Sequence, residues 1–253
     1  MSFFIYKSVA ERYAKHRPYF HPLVIEKIRA YLQLGGPVHF AVDVGCGSGH
    51  STVALKEIAD LVAGLDISKD MLDVAERKSD IYYVQATAER LAINSNSADL
   101  ITTSMAYHWF NQQQFFAETK RILKAGAWLV IFNHGFRGQM KENLEFEQWF
   151  LNVYEEHYPS PPRNAEPMTS ETAKRYGFTF PSQEEIQNDV VFTVEELAAY
   201  LITQSNVIAR TEHGEETVEE VYDWLIKQTR PFFKSERATF PFSGLIWYLQ
   251  KDS

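Results

Sequence analysis

The first half of the chain alternates short apolar runs with stretches in which apolar residues recur every three to four positions. The runs fit buried strands, and the longer spacing fits amphipathic helices. This alternation predicts an α/β protein with a doubly wound, mostly parallel sheet and helices on both faces. Right-handed crossovers then bring the ligand crevice to the carboxyl ends of the strands. The predicted strands span residues 38–44, 61–66, 81–85, 98–104 and 127–133, and the predicted helices span residues 20–33, 50–58, 69–78 and 111–123.

The pattern changes after residue 134. An aromatic-rich helix is predicted at residues 141–157, followed by a proline-rich loop at 158–167. We expect residues 1–134 and 186–253 to form one domain, with residues 135–185 inserted as a helical lid that caps the substrate. The rest of the chain contains a predicted strand at 186–192, helices at 194–203 and 215–229, and a closing strand at 238–251.

Composition narrows the range of partners. The 253 residues carry a formal net charge of −8 without a block of lysine or arginine, which disfavours a nucleic-acid partner. The single cysteine, Cys46, is consistent with a reducing compartment. The N-terminus lacks the apolar core of a signal peptide, and no run approaches the roughly 18 apolar residues of a membrane span. We expect a cytoplasmic protein that does not bind membranes and is a monomer or a homodimer.

A glycine-rich loop, GCGSGH at residues 45–50, follows the first predicted strand. The dinucleotide fingerprint G-x-G-x-x-G has its third glycine where this chain has His50. Asp43 is expected at the mouth of the loop, where a carboxylate repels a pyrophosphate and suits a ligand with positive charge. Asp43 could equally cap and order the loop. The spacing favours a cationic nucleoside cofactor, S-adenosylmethionine, over a dinucleotide.

A second acidic residue, Asp66, ends the second predicted strand, 21 residues after Gly45. A carboxylate at this position can accept hydrogen bonds from both hydroxyls of a ribose. The adjacent Ile67 can cover a face of an adenine. Asp66 could also be an ordinary residue of a strand-ending turn, but the loop and the two acids together indicate a nucleoside cofactor.

Several segments carry a family resemblance: VDVGCGSGHST, GLDIS, QATAERL, SADLITTSMAYHWF and FFAETKRILKAGAWLVIF follow one another within residues 8–133. They resemble the class I S-adenosylmethionine-dependent methyltransferases of the type 11 group, in the branch that includes trans-aconitate methyltransferase. The N-terminal AERYAKHRPYFHPLV is similar to the Tyr-x-x-x-Arg-Pro segment of that branch. The resemblance implies a seven-stranded Rossmann-like sheet with an antiparallel last strand, and methyl transfer to a small-molecule acceptor. KAGAW at 124–128 departs from the Lys-Pro-Gly-Gly that relatives usually have.

The resemblance also implies the contacts of the cofactor. Asp66 takes the ribose, and Ile67 takes the adenine face. Two of the contacts that the resemblance implies have an alternative interpretation: Glu89 could be a charge at the start of a helix or in solvent, and Arg17 could be a surface residue packed by its stem. The remaining implied contacts are Gly45, Cys46 and Gly47 along the methionine part, Gly49 shaping the turn, Ala88 and Glu89 at the adenine edge, Ser104 at the methionine ammonium, and Tyr13 and Arg17 in a segment that closes over the cofactor, with Arg17 pairing the methionine carboxylate.

Methyl transfer requires alignment of acceptor, methyl and sulfur, and a general base only if the acceptor carries a proton at the working pH. His108, after the fourth predicted strand, is the candidate base because its unperturbed pKa is about 6.5. It could also merely shape the pocket. A carboxylate acceptor needs no base, whereas a hydroxyl would benefit from one. The predicted substrate contacts are His108, Trp109, His134 and Arg137, with Arg163 as a further arginine able to hold a carboxylate.

Three other functions stay open from the sequence. One is a methyltransferase that acts on a protein or an RNA, and the negative net charge weakens the RNA version. A non-catalytic cofactor-binding protein would keep the loop and Asp66. A nicotinamide-dependent oxidoreductase is disfavoured by His50 and by the glycine spacing. No metal site is predicted, because the histidines lack ligand-like spacing with acids or cysteine.

Overall fold

The computed structural model describes residues 7–163, 166, 168–212 and 214–252. The chain forms two compact units. The first, here called the sheet unit, comprises Tyr19–Asn133, Arg163–Ile186 and Gly244–Ser253. The second, here called the aromatic unit, comprises Met1–Pro18, His134–Pro162 and Gln187–Ser243.

The first elements follow the predicted alternation of helices and strands after one helix that the pattern does not predict. That helix is α1 (Lys7–His16), in the aromatic unit. The sheet unit then contains α2 (His21–Tyr31), β1 (Val38–Val44), α3 (His50–Leu55), β2 (Ala59–Asp66), α4 (Lys69–Asp73), β3 (Ile81–Gln85), β4 (Ala98–Ser104), α5 (Gln112–Ile122) and β5 (Leu123–Phe132).

The later elements vary more in length, from a strand of two residues to a strand of 16 residues. A π-helical turn at Phe150–Tyr154 interrupts the single helix predicted over residues 141–157. The elements are β6 (Gly135–Phe136), α6 (Glu145–Trp149), α7 (Glu155–His157), α8 (Ser170–Arg175), β7 (Phe178–Thr193), α9 (Val194–Leu201), α10 (Ser205–Glu212), α11 (Val218–Thr229) and β8 (Arg237–Lys251).

The strands of the sheet unit are ordered β3-β2-β1-β4-β5-β8. The first five run parallel, and β8 runs antiparallel to β5. This order confirms the predicted Rossmann-like class and the antiparallel last strand. The full sheet has eight strands rather than seven, because β6 and β7 also pair with β8. β6 has two residues, too few to leave an alternation in the sequence.

Both faces of the sheet are covered, because successive side chains of a strand point to opposite sides. On one face, Val42 of β1 shares a buried cluster with Phe116 of α5. On the other face, Ala41 shares a cluster with Ile28 of α2. Because β1 to β5 run parallel, their carboxyl ends lie at one edge of the sheet, where the loops that follow β1, β2 and β4 emerge.

The aromatic unit has a separate core. Phe146, Trp149 and Tyr154 are buried there with Phe240 and Phe242 of β8. The aromatic run that the sequence showed in this region is therefore core. Among the described residues, no helix combines the length and the apolar character needed to cross a membrane.

Residues 135–185, predicted as one inserted lid, are shared between the two units. Residues up to Pro162 belong to the aromatic unit, and those from Arg163 belong to the sheet unit. In the sheet unit, Tyr176 stacks on Phe116 of α5 with a centroid distance of 4.3 Å. The capping role of this segment stays a prediction.

Candidate functional site

The glycine loop after β1 turns tightly into α3. Gly45, Gly47 and Gly49 have φ angles of 69°, 53° and 81°, a region that side chains disfavour. A Cβ on Gly49 would lie 2.4 Å from the Tyr83 hydroxyl, whereas a Cβ on Gly47 would meet no atom within 4 Å. The loop is therefore packed at Gly49 and has an open backbone at Gly47.

Asp66 ties this loop to the end of β2. Its Oδ2 accepts a hydrogen bond from the Gly47 N–H at 2.8 Å, and its Oδ1 accepts one from the Ser68 N–H at 2.8 Å. Burial raises the pKa of Asp66, and these backbone donors oppose the rise. The Ile67 N–H is a third backbone donor to this carboxylate. An ionised carboxylate can accept about four hydrogen bonds, so Asp66 retains capacity for a further donor such as a hydroxyl. The arrangement fits the ribose of a nucleoside cofactor.

Asp43 lies inside the sheet, and its predicted position at the mouth of the loop is wrong. The side chain is 0% exposed. Its carboxylate accepts hydrogen bonds from Ser51 at 2.6 Å, Thr52 at 2.7 Å and Thr102 at 3.0 Å. Burial raises the pKa of Asp43 to about 6, although the three hydroxyls pull it down. In this structure Asp43 joins β1, α3 and β4, which fixes the direction of the loop between them.

Cys46 is buried in the same loop. Burial, followed by the charges of Asp43 and Asp66, raises the pKa of its thiol well above the ordinary range. A thiol of this kind is a poor nucleophile. The Gly45 and Cys46 N–H groups both donate to the Leu65 carbonyl, at 2.7 and 3.1 Å.

The residues predicted to contact the adenine are Ile67, Ala88 and Glu89, and they differ in their exposure. Ile67 is 52% exposed, so its side chain is free to cover a planar ligand. Ala88 is buried. The Glu89 Oε1 accepts a hydrogen bond from the Asn111 N–H at 2.9 Å.

The end of β4 adds a residue that the sequence analysis missed. The Ser104 hydroxyl lies 3.4 Å from Nε2 of His21, which is buried in the first turn of α2. The His21 ring stacks on Phe20 and lies 6.1 Å from the ring of His50. The only signal in the sequence is a histidine four residues after Arg17, and nothing in that spacing points to Ser104.

His108 and Trp109 lie on a 3₁₀ turn, Tyr107–Trp109, that follows β4. Their rings lie 4.8 Å apart. The Arg163 guanidinium lies over the Trp109 ring, 5.6 Å from its centroid. Burial and the charge of Arg163 lower the pKa of His108 to about 4, so its imidazole is neutral at pH 7.

Four predicted contacts belong to the aromatic unit. The Arg17 guanidinium donates to the Thr203 carbonyl at 2.7 Å and lies over the Tyr13 ring, 4.6 Å from its centroid. His134 is buried, and burial lowers its pKa to about 4. Arg137 is exposed. The other predicted residues lie in the sheet unit: Asp43, Gly45, Cys46, Gly47, Gly49, Asp66, Ile67, Ala88, Glu89, Ser104, His108 and Trp109.

Known proteins are similar to this chain in fold and, over part of its length, in sequence. A structure from Anaeromyxobacter dehalogenans, described as a type II methyltransferase, has a TM-score of 0.71 at 19% identity, with 93% of this chain and 97% of that chain covered. At that identity the likeness shows the fold, which is the Rossmann-like fold of methyltransferases.

Two relatives are more similar in sequence. A Dictyostelium discoideum protein named as a methyltransferase is 30% identical over 151 residues, covering 60% of this chain and 55% of that protein. Malonyl-[acyl-carrier protein] O-methyltransferase of Marinomonas sp. is 34% identical over 145 residues, covering 54% and 52%. The chain spans about half the length of these curated relatives.

The family model of the methyltransferase domain matches residues 42–131. These residues are a methyltransferase domain of the class I, S-adenosylmethionine-dependent type. The recognition made from the sequence is confirmed, and so is S-adenosylmethionine as the cofactor of this class of domain. The branch that includes trans-aconitate methyltransferase stays a prediction.

Proposed function

We propose that the protein is an S-adenosylmethionine-dependent methyltransferase that acts on a small-molecule acceptor. The observation that carries this proposal is the Asp66 carboxylate, which binds the Gly47 N–H at 2.8 Å beside an open loop backbone. An acid at the end of β2 and a glycine loop after β1 are the two features that a nucleoside cofactor needs at this edge of a parallel sheet.

The residues of the chain bind the cofactor and orient it relative to the acceptor. S-adenosylmethionine, when bound, supplies a methyl group on a cationic sulfur. Asp66 accepts from the ribose hydroxyls, and Ile67 covers the adenine. The open backbone at Gly47 allows close approach of the methionine part. Holding acceptor and methyl in line can contribute up to roughly 7–11 kcal/mol of the barrier reduction.

The state of His108 favours an acceptor that is already ionised. A general base works best when its pKa is near the operating pH, and the pKa of His108 is lowered to about 4. At pH 7 this imidazole is a weak base. A carboxylate is ionised at that pH and needs no base, so we propose a carboxylate oxygen as the methyl acceptor, with His108 as a neutral contact.

Arg163 and Trp109 supply a surface for such an acceptor. A guanidinium can bind a carboxylate through two parallel hydrogen bonds. The Arg163 side chain lies over the Trp109 ring, next to the loop that carries His108. The Marinomonas relative is named as an O-methyltransferase, which agrees with an oxygen acceptor.

The other expectations from the sequence remain predictions. They are the contacts of Tyr13, Arg17, His134 and Arg137, the capping role of residues 135–185, the cytoplasmic location and the monomeric or homodimeric state.

Binding of S-adenosylhomocysteine tests the cofactor site. At 100 times its dissociation constant, the ligand should stabilise the wild type by about 2.7 kcal/mol. Asp66→Asn should weaken binding by roughly 10- to 100-fold in calorimetry, because it removes charge-assisted hydrogen bonds. Asp60→Asn, at the exposed start of the same strand, is the matched control. The cofactor site is refuted if millimolar ligand gives no stabilisation, or if both variants bind as the wild type does.

Methyl transfer from isotopically labelled S-adenosylmethionine into metabolite pools tests the acceptor. We expect labelled methyl esters of carboxylic acids, detected by mass. Arg163→Ala should lower their formation by roughly 10- to 100-fold through loss of a charged hydrogen-bond donor. Arg230→Ala, an exposed arginine paired with Glu195 in the aromatic unit, is the control. Labelled ethers or amines would contradict the carboxylate acceptor, and ligand binding without any labelled product would indicate a non-catalytic protein.

A further inference from the structure

The segment between β4 and α5, residues 105–111, is here called the acceptor loop because it carries His108 and Trp109. It is held at both ends. At its start, the Met105 N–H donates to the Phe132 carbonyl at 3.0 Å. At its end, the Asn111 N–H donates to the Glu89 carboxylate at 2.9 Å. The 3₁₀ turn between these two points fixes the direction of the His108 and Trp109 side chains.

The end of the acceptor loop at Asn111, where Glu89 binds, is also the start of helix α5. Asn111 precedes α5, and its side-chain oxygen accepts a hydrogen bond from the Gln114 N–H at 3.2 Å. α5 has 11 residues, and the N-terminus of a helix favours a negative charge. The Glu89 carboxylate therefore stabilises both the end of the acceptor loop and the first turn of α5.

The same loop also contacts the glycine loop. A Cβ on Gly45 would lie 2.6 Å from Cβ of Ala106 and 2.8 Å from the Phe110 ring. Phe110 is the neighbour of Asn111 in the chain. The acceptor loop is thus in contact with two of the segments assigned to the cofactor: the glycine loop through Phe110, and the segment after β3 through Glu89.

We propose that Glu89 is a positioning residue that couples the cofactor segments to the acceptor loop. Its carboxylate holds Asn111, so that a cofactor bound along residues 88–89 and the glycine loop also orders His108 and Trp109. This role is separate from the adenine-edge contact that the family resemblance implies. The ligand-dependent part rests on the proposed function, whereas the Glu89–Asn111 hydrogen bond is independent of it.

Amide hydrogen exchange of the full chain, with and without S-adenosylhomocysteine, tests the coupling. Without ligand, Glu89→Leu should speed exchange at Asn111 by roughly tenfold, which corresponds to about 1.4 kcal/mol. Glu89→Gln keeps an acceptor oxygen and should stay near the wild type. Glu220→Leu is the matched control, because Glu220 also accepts a backbone N–H at the start of a helix, that of Thr217, and lies in the aromatic unit.

With ligand, the wild type and Glu89→Gln should show slower exchange across residues 105–111, and Glu89→Leu should lose that protection. The proposal is overturned if Glu89→Leu leaves exchange at Asn111 unchanged, or if ligand protects residues 105–111 equally in Glu89→Leu and the wild type. A wild type that binds no ligand refutes the proposed function and the coupling with it. In that case the ligand-free comparison still separates the hydrogen bond from the cofactor site.

Discussion

At the scale of single residues, the charge buried in the sheet is the most unusual feature. Asp43 is fully buried, and its carboxylate accepts hydrogen bonds from the hydroxyls of Ser51, Thr52 and Thr102. Burial of a carboxylate without a cation disfavours its ionised form. Its three hydroxyl donors reduce that cost, so Asp43 remains compatible with a folded core at neutral pH.

Asp43 should make the stability of the protein depend on pH. Its folded-state pKa is about 6, against an ordinary value of 3.8. The folded state therefore binds a proton that the unfolded chain has released. This contribution is fully present below about pH 4 and is lost as the pH rises through 6. It amounts to about 3 kcal/mol, since one pKa unit corresponds to about 1.4 kcal/mol.

Asp43→Asn should remove this dependence. The free energy of unfolding, measured in urea from pH 4 to pH 8, should fall with pH in the wild type relative to the variant. Asp60→Asn should leave the wild-type profile unchanged. Parallel profiles for the wild type and Asp43→Asn would show that Asp43 ionises in the folded state as it does in water.

At the scale of elements, the glycine loop has one glycine that is packed against a neighbouring strand and one that faces open space. Gly49 faces the Tyr83 hydroxyl of β3, and Gly47 faces open space. Both have positive φ, so a side chain at either position costs about 1–2 kcal/mol from the backbone alone. Only Gly49 adds a steric conflict to that cost.

Alanine at the two positions should therefore have different effects. Gly49→Ala should lower the free energy of unfolding by about 3 kcal/mol, and Gly47→Ala by about 1–2 kcal/mol. Gly47→Ala should weaken S-adenosylhomocysteine binding more strongly than its stability loss suggests, because its Cβ occupies the open approach. Urea denaturation and calorimetry measure the two effects. Equal stability losses would contradict the packing argument, and unchanged binding by Gly47→Ala would contradict the open approach.

Element boundaries were predictable where the apolar run was short and bounded. The predicted strands 38–44, 81–85 and 98–104 coincide with β1, β3 and β4. Helix α4 ends at Asp73, before the predicted residue 78, and the Arg77 side chain donates to the Leu72 carbonyl near that end. Helices α1, α8 and α10 were not predicted, because their stability depends on tertiary packing that local periodicity does not record.

At the scale of the whole molecule, the sequence predicted the class of fold and the positions of the glycine loop and Asp66 at the ends of β1 and β2, but not the division into units. Glycine spacing and strand order are local properties, so the loop and Asp66 could be found. The membership of Arg163–Ile186 in the sheet unit depends on contacts such as Tyr176 on Phe116, which local pattern does not encode. For the same reason, the contact of His21 with Ser104, 83 residues apart, could not be found.

The hydrogen bond from Gly47 to Asp66 has a consequence for the rate and heat of cofactor capture. It holds the loop in a defined shape, so we expect little ordering entropy to be spent on association. We therefore expect the cofactor to bind a preorganised loop. The association rate should vary with solvent viscosity only through diffusion, and the heat capacity change should reflect only the apolar area that the ligand covers.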